Sequence, residues 1–394
     1  MIALPFKKFR QRLLLLSASA AYNLVPMVFN VVIAALVVRW LSAALWGEMV
    51  QVMLWITIAG NIMAWGNKDY LIRNFSADPS SIRLVWQQSF GSRSLLVAIL
   101  LGVLIFLPLP FSIKTWVAVY LLARFVYMSY DSIIVFRRNF GITLLLESSG
   151  FILLGAAIFF LHPAELSQLL SWFACTELLK AAAIIFIYRN RVFPVFFKSF
   201  DHIYFVLAFS FFLLYFTGML ASKIDLICVT SFFSKEEIAR YQVLMSLLQA
   251  TQLSIPILLI PYLAIIYRLP VASIRKMALR LFIVGMLIAA IAVFATSVLL
   301  EWIYRFQYDP LIFLLGWLIV IPGFYYAPLI YRLFRNNRQH IVVIISFLFI
   351  ALSAALIFSF VRILPEPFTA IFIAMAVSQW IQVIIYFFVG RKIA

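Results

Sequence analysis

The stretch "IYFVLAFSFFLLYFTGMLASKIDLICVTSFF", residues 203–233, decides the fold class. It is apolar over far more than the roughly 20 residues that a helix needs to cross a bilayer core. It nevertheless holds Lys223 and Asp225. A charge at the bilayer centre costs about 2.5–3.5 kcal/mol on insertion scales, so a span that keeps two of them turns them toward protein or water rather than lipid. Two residues along a helix rotate by about 200°, which places the two charges on nearly opposite sides and argues against their pairing with each other.

Working outward, the whole chain has the same character. It has 394 residues, 66% hydrophobic and 11% charged, against roughly 25% charged for an average soluble domain. That excludes an ordinary water-soluble globule. Cys175 and Cys228 fall in separate apolar runs, so they indicate neither a disulfide framework nor a metal site. His162, His202 and His340 lie near the ends of apolar runs and read as interfacial residues. The N-terminal "MIALPFKKFRQRLLLLSASAAYN" has the basic start and Leu run of a signal peptide. Apolar sequence continues to Val38, however, and an uncleaved first span is the reading adopted.

By the length criterion there are twelve spans, near 13–38, 44–66, 84–108, 113–136, 141–161, 166–188, 203–233, 238–266, 278–300, 309–331, 341–361 and 367–389. The runs are long and continuous rather than ten-residue alternations, so they are helices and not barrel strands. The expected fold is all-α integral membrane, with six spans in each of two lobes, 1–197 and 198–394. Connecting segments alternate in charge. Twenty-one Lys and Arg fall on the side of the termini, from Lys7 and Lys8 through Arg137 and Arg138 to Arg391 and Lys392; Arg39, Lys114, Lys235, Arg240, Arg305 and Arg362 fall on the other. Short basic loops stay cytoplasmic, which puts both termini in the cytoplasm. The net charge of +17 is then a topology signal that also attracts anionic membrane lipids. No soluble basic module exists to bind nucleic acid.

The halves resemble each other. "VRWLSAALWGEMVQVM" (38–53) aligns with "TSFFSKEEIARYQVLM" (230–245) at an offset of 192, pairing Ser42 with Ser234, Gly47 with Ala239 and Met53 with Met245. Six spans per half give the repeats one orientation, related by an axis along the membrane normal.

Three stretches then carry a resemblance to a family: "NVVIAALVVRWLSAALWGEMVQV" (30–52), "WGNKDYLIRN" (65–74) and "KIDLICVTSFFSKEEIARYQV" (223–243). The chain is similar to polysaccharide flippases of the O-antigen (Wzx) type, within the multidrug/oligosaccharidyl-lipid/polysaccharide (MOP) exporter superfamily. Where that family has a Gly-Tyr pair after its seventh span, this chain has Ala239 in place of the Gly. The resemblance implies two six-helix lobes around a central cavity that opens alternately to each side of the bacterial inner membrane. It implies a polyprenyl-diphosphate-linked oligosaccharide as cargo and no cofactor. A polysaccharide polymerase and a chain-length regulator are the partners it suggests.

Polar residues inside the spans are the candidate site. Tyr120, Arg124, Tyr127 and Asp131 are spaced to share one helix face. Span 5 carries Glu147, and span 6 carries Glu177 and Lys180 one turn apart. Arg124, Lys180 and Lys223 are the candidates to receive a diphosphate or acidic sugar, Arg with the better bidentate fit. Asp225, Asp131 and Glu147 are candidates for ion coupling. The structural alternative is a set of ion pairs: Arg124 with Asp131 or Glu147, and Lys180 with Glu177. Asn23, Asn30, Gln51 and Gln249, with the two tyrosines, offer hydrogen bonds or stacking surfaces to sugars, though helix–helix hydrogen bonding serves equally. Pro26, Pro256, Pro261, Pro322 and Pro328 are expected to kink spans 1, 8 and 10. A membrane-embedded glycosyltransferase or polymerase would need acidic or metal-binding residues on a sizeable loop, and neither such a loop nor a Gly-rich nucleotide cradle is present. The chain is therefore not expected to be an enzyme. A multidrug exporter of the same superfamily is the closer rival.

Overall fold

The computed structural model describes residues 21, 24–197, 200–259, 266 and 270–392, with Val271 and residues 390–392 described by backbone alone. Asn23, Pro261 and much of the expected first span lie outside the described residues. Every regular element among the described residues is helical. The first unit, 1–216, contains α1 (Leu24–Trp40), α2 (Ala43–Ala64), α3 (Asn67–Ala77), α4 (Ile82–Phe106), α5 (Phe111–Ser129), α6 (Asp131–Arg137), α7 (Phe140–Leu161) and α8 (Leu166–Tyr188). The division between units falls within α9 (His202–Phe232), between Phe216 and Thr217. The second unit, 217–394, continues with α10 (Lys235–Gln252), α11 (Ser254–Leu259), α12 (Val271–Leu299), α13 (Pro310–Val320), α14 (Pro322–Arg335), α15 (Gln339–Ile363) and α16 (Pro367–Lys392).

Among the described residues, eleven helical segments are long and apolar enough to cross a membrane, and α1 is a shorter twelfth. Their outward faces are oily: Phe106 is 88% exposed, Trp302 77% and Phe160 74%. In water such side chains would drive aggregation, whereas in lipid they are solvated. This is a multi-pass membrane protein. Polar groups, conversely, are drawn inside.

The internal repeat has a physical counterpart. Ser42 is the N-cap of α2 and accepts a hydrogen bond from the Leu45 backbone at 3.0 Å. Its aligned partner Ser234 is the N-cap of α10, where Glu237 reciprocates in a capping box. Each serine satisfies backbone donors that the first turn of a helix leaves open. One signal thus starts the second span of both halves.

Spans 8 and 10 are broken beside two of the expected prolines, Pro256 and Pro322, while Pro26 lies within α1. Pro322 has no N–H to return to the preceding turn, and span 10 divides there into α13 and α14, with Pro328 inside the second piece. Span 8 divides between α10 and α11, three residues before Pro256. A further break, in span 2, separates α2 from α3 at Trp65 and Gly66, with φ of 42° and 66°. α9 packs into this notch: a Cβ on Gly66 would lie 2.6 Å from the Phe212 backbone nitrogen. Trp65 stacks on Phe212 at 4.0 Å and donates its indole N–H to the Phe205 carbonyl at 3.2 Å. Only glycine permits both the left-handed backbone and this approach.

Candidate functional site

The candidate site in the first unit is built by α5, α7 and α8. Among the described residues, α5 and α8 make an extensive helix contact. Three side chains on one face of α5, Tyr120, Arg124 and Tyr127, meet Glu177 and Lys180 of α8. Arg124 Nη1 lies 3.1 Å from Glu177 Oε1, and Lys180 Nζ lies 2.8 Å from the same oxygen. Lys180 also reaches Glu147 Oε2 on α7 at 3.0 Å. Gly150, one turn after Glu147, makes room for this: a Cβ there would come 3.1 Å from Lys180 Cδ. The Tyr127 ring sits 5.1 Å from Lys180 Nζ and 6.0 Å from the Arg124 guanidinium, within the range where a ring face attracts a cation.

Two cations and two carboxylates therefore alternate, Arg124–Glu177–Lys180–Glu147. Their formal charge cancels, which lets the membrane interior hold them. Exposure is uneven. Side-chain exposure is 6% for Glu177 and 10% for Lys180, but 34% for Arg124. Glu177 Oε2 and the Tyr127 hydroxyl are buried without a hydrogen-bond partner. Asp131 begins α6, just past the turn at Tyr130, and lies within electrostatic reach of Arg124. Of the ion pairs expected from sequence, Lys180–Glu177 is present. Arg124 pairs with Glu177 at 3.1 Å, with Asp131 and Glu147 within electrostatic reach.

In the second unit, Asp225 is buried, and its Oδ2 accepts a hydrogen bond from the Tyr241 hydroxyl at 2.8 Å. Oδ1 has no partner. Lys223 is half-buried, in keeping with its different helix face. Gln249 donates to the Ser222 carbonyl at 3.4 Å, beside Lys223. Asn30 is exposed and Gln51 half-buried; no contact gathers them into the charged cluster. Among the described residues, no group of three His, Cys, Asp or Glu could hold a metal ion.

Sequence reasoning passed over Arg93. It lies midway along α4 and is 1% exposed. Its guanidinium donates to Ser129 Oγ at 3.0 Å, Ser89 Oγ at 3.3 Å and the Met63 carbonyl at 3.4 Å, and lies 5.1 Å from the Phe125 ring. Ser89 in turn donates to Asn67, the first residue of α3. Arg93 thus ties α2, α4 and α5 together beside the break in span 2. The signal was legible as "SFGSRS" (89–94), a cation ringed by serines inside an apolar run.

No family model matches the chain, and no curated protein matches it by sequence. Solved structures do. The lipid II flippase MurJ, in an inward closed conformation, superposes with a TM-score of 0.65 at 12% identity, covering 94% of this chain and 86% of that one. A Vibrio cholerae MATE transporter in its bent form gives 0.56 at 13% identity, covering 97% and 96%. An inward-facing multidrug resistance MATE family transporter of the MOP superfamily gives 0.52 at 10%, covering 93% and 94%. Likeness at such low identity speaks to architecture, and with the apolar helices described above it gives a definite result: the chain is a multi-pass membrane protein with the transporter fold shared by MurJ and the MATE transporters of the MOP superfamily.

Proposed function

We propose that this protein translocates polyprenyl-diphosphate-linked oligosaccharide repeat units across the bacterial inner membrane, as O-antigen-type flippases do, by alternating access of its two halves. The observation that carries this reading is the asymmetry at Arg124. Its guanidinium is anchored to a buried carboxylate yet keeps 34% of its side chain exposed. A planar donor held on one side and open on the other suits the oxygens of a diphosphate or an acidic sugar. Tyr120, half-buried on the same helix face, offers a ring on which a sugar can stack, while the buried Tyr127 ring backs the two cations. Lys223 with Gln249 is a second polar group on the cargo's path, and Asp225 is a place where a proton or cation can be exchanged. MurJ, a lipid II flippase, superposes with a higher TM-score than the two MATE transporters above.

On this reading the termini are cytoplasmic, the lobes are those of the sequence repeat, and the protein works beside a polysaccharide polymerase and a chain-length regulator. Complementation of a strain lacking its own lipid-linked oligosaccharide flippase tests it. Restored surface polysaccharide is expected from the native chain, partial restoration from Arg124→Lys and none from Arg124→Ala at equal membrane abundance. Full export by Arg124→Ala would remove this residue from the cargo path. A multidrug exporter is the second reading, favoured by Glu177 Oε2 and Asp225 Oδ1, buried carboxylate oxygens without partners of the kind that a cationic drug or proton would seek. It predicts altered drug susceptibility with no effect on surface polysaccharide.

A further inference from the structure

The breaks in spans 8 and 10 meet inside the second unit. α10 ends at Gln252 and α11 begins at Ser254; α13 ends at Val320 and α14 begins at Pro322. α11 and α14 pack against each other at Gly323, where a Cβ would come 3.0 Å from Ile255 Cδ1. The same point lies 3.7 Å from Gln252 Nε2 and 3.8 Å from the Tyr326 hydroxyl. An amide and a phenol, one from each broken span, thus border one small space that the missing methyl keeps open. Both side chains are half-buried. Gln252 lies one turn after Gln249 and shares its face of α10.

α16 adds a third polar face. It packs against α14, and its Tyr386 stacks on Tyr326 with ring centroids 5.3 Å apart and planes at 23°. Gln382 and Gln379 precede Tyr386 by four and seven residues and so lie on its side of the helix. Gln382 is 9% exposed. Gln379 Oε1 is buried without a hydrogen-bond partner. A buried amide oxygen left open costs free energy that a bound donor would recover. Interrupted spans point the same way, because in transporters the interruption frees backbone groups to hold substrate.

The chemistry of these groups says what would bind. No charged residue occurs from Tyr241 to Leu259, from Pro322 to Tyr331, or from Pro367 to Gly390. A phosphate or a cationic drug would therefore find no counter-charge on these helices. Amides and a phenol match groups that both donate and accept, as hydroxyls do, and a tyrosine ring offers an apolar surface beside its polar tip. We propose that Gln252, Tyr326, Gln379 and Gln382 bind the neutral sugar hydroxyls of the lipid-linked cargo, whereas the charged cluster of the first unit takes its diphosphate. The inference rests on the flippase reading for the identity of the cargo; the polar, uncharged character of the site stands apart from it.

The test is native mass spectrometry of the purified full-length chain. It is titrated with a polyprenyl diphosphate bearing a neutral disaccharide, and with the same polyprenyl diphosphate without sugar. The bare lipid carries more negative charge, so charge alone would favour it. The native chain is expected to bind the sugar-bearing lipid about tenfold tighter, the worth of one or two net hydrogen bonds. The double variant Gln252→Leu/Tyr326→Phe should abolish that preference, with the loss falling on the sugar-bearing lipid. Gly323→Ala removes no polar group but places a methyl between the amide and the phenol, and should reduce the preference several-fold. Arg124→Ala should weaken both lipids alike and keep the preference. Equal binding of the two lipids by the native chain would overturn the proposal and leave the flippase reading standing. Native preference in both the double variant and Gly323→Ala would do the same. Binding of neither lipid would overturn both.

Discussion

Glu177→Gln is the substitution that most directly probes the charged cluster. The side chain keeps its shape and loses its charge. Glu177 Oε1 is the shared acceptor for Lys180 at 2.8 Å and Arg124 at 3.1 Å. At an effective dielectric near 20, each contact represents roughly 5–6 kcal/mol of gross Coulomb attraction. The net effect is smaller, because both cations retain other solvation. Lys180 keeps Glu147 at 3.0 Å, and Arg124 is already 34% exposed. Removing one member of a buried pair costs about 3–5 kcal/mol, and these residual partners place the expected loss near the lower end, about 3 kcal/mol. Lys180→Met alone leaves two carboxylates with one cation. The double variant removes both members of the closest pair. It should lose at least about 2 kcal/mol less than the sum of the single variants, a coupling within the range for contacting charges. Denaturant titration in mixed micelles, followed by tryptophan fluorescence, measures all three differences. Additive losses, or a Glu177→Gln variant within about 0.5 kcal/mol of the native chain, would refute the assignment of Glu177 as the keystone of the cluster.

Other expectations follow from single contacts. Gly66→Ala forces a left-handed alanine, about 1–2 kcal/mol, and drives its Cβ to 2.6 Å from the Phe212 backbone. A total loss of about 3 kcal/mol or more is expected in the same titration, whereas Gly60→Ala, in a helix with nothing within 4 Å of the new methyl, should gain about 0.5–1 kcal/mol. Tyr241→Phe removes the hydrogen bond to Asp225 and should cost about 1–3 kcal/mol by stranding a buried acceptor; in an Asp225→Leu background, where no acceptor remains, that cost should vanish or reverse. Arg93→Met should lower the yield of folded protein far more than Arg83→Met, because Arg93 is 1% exposed and joins three helices; equal yields would show that its hydrogen bonds are dispensable. Reporter fusions after Gly390 should behave as cytoplasmic and fusions at Pro163 as external, and a reversed pattern would overturn the orientation drawn from basic loops.

The positions of the spans were legible in the linear sequence because lipid leaves the backbone no other partner. A long apolar run must close its own hydrogen bonds, and helices are the way a single segment does so. Local chemistry was legible for the same reason. Ser42 and Ser234 cap the helices they precede, and Pro322 stops the helix it enters, each acting within one turn of chain. Partnership between helices was not legible. Spacing along α5 puts Tyr120, Arg124 and Tyr127 on one face, but it cannot say which helix lies opposite. Arg124 meets Glu177 because α8 packs along α5, while Lys180 crosses Gly150 to take Glu147. Arg93 was a charge in an apolar run until packing surrounded it with Ser129, Ser89 and the Met63 carbonyl, at the notch where Gly66 admits α9. The contacts with Ser129 and Met63 join residues tens of positions apart. Side-chain periodicity fixes the direction in which a group points, and only the tertiary fold decides what stands there.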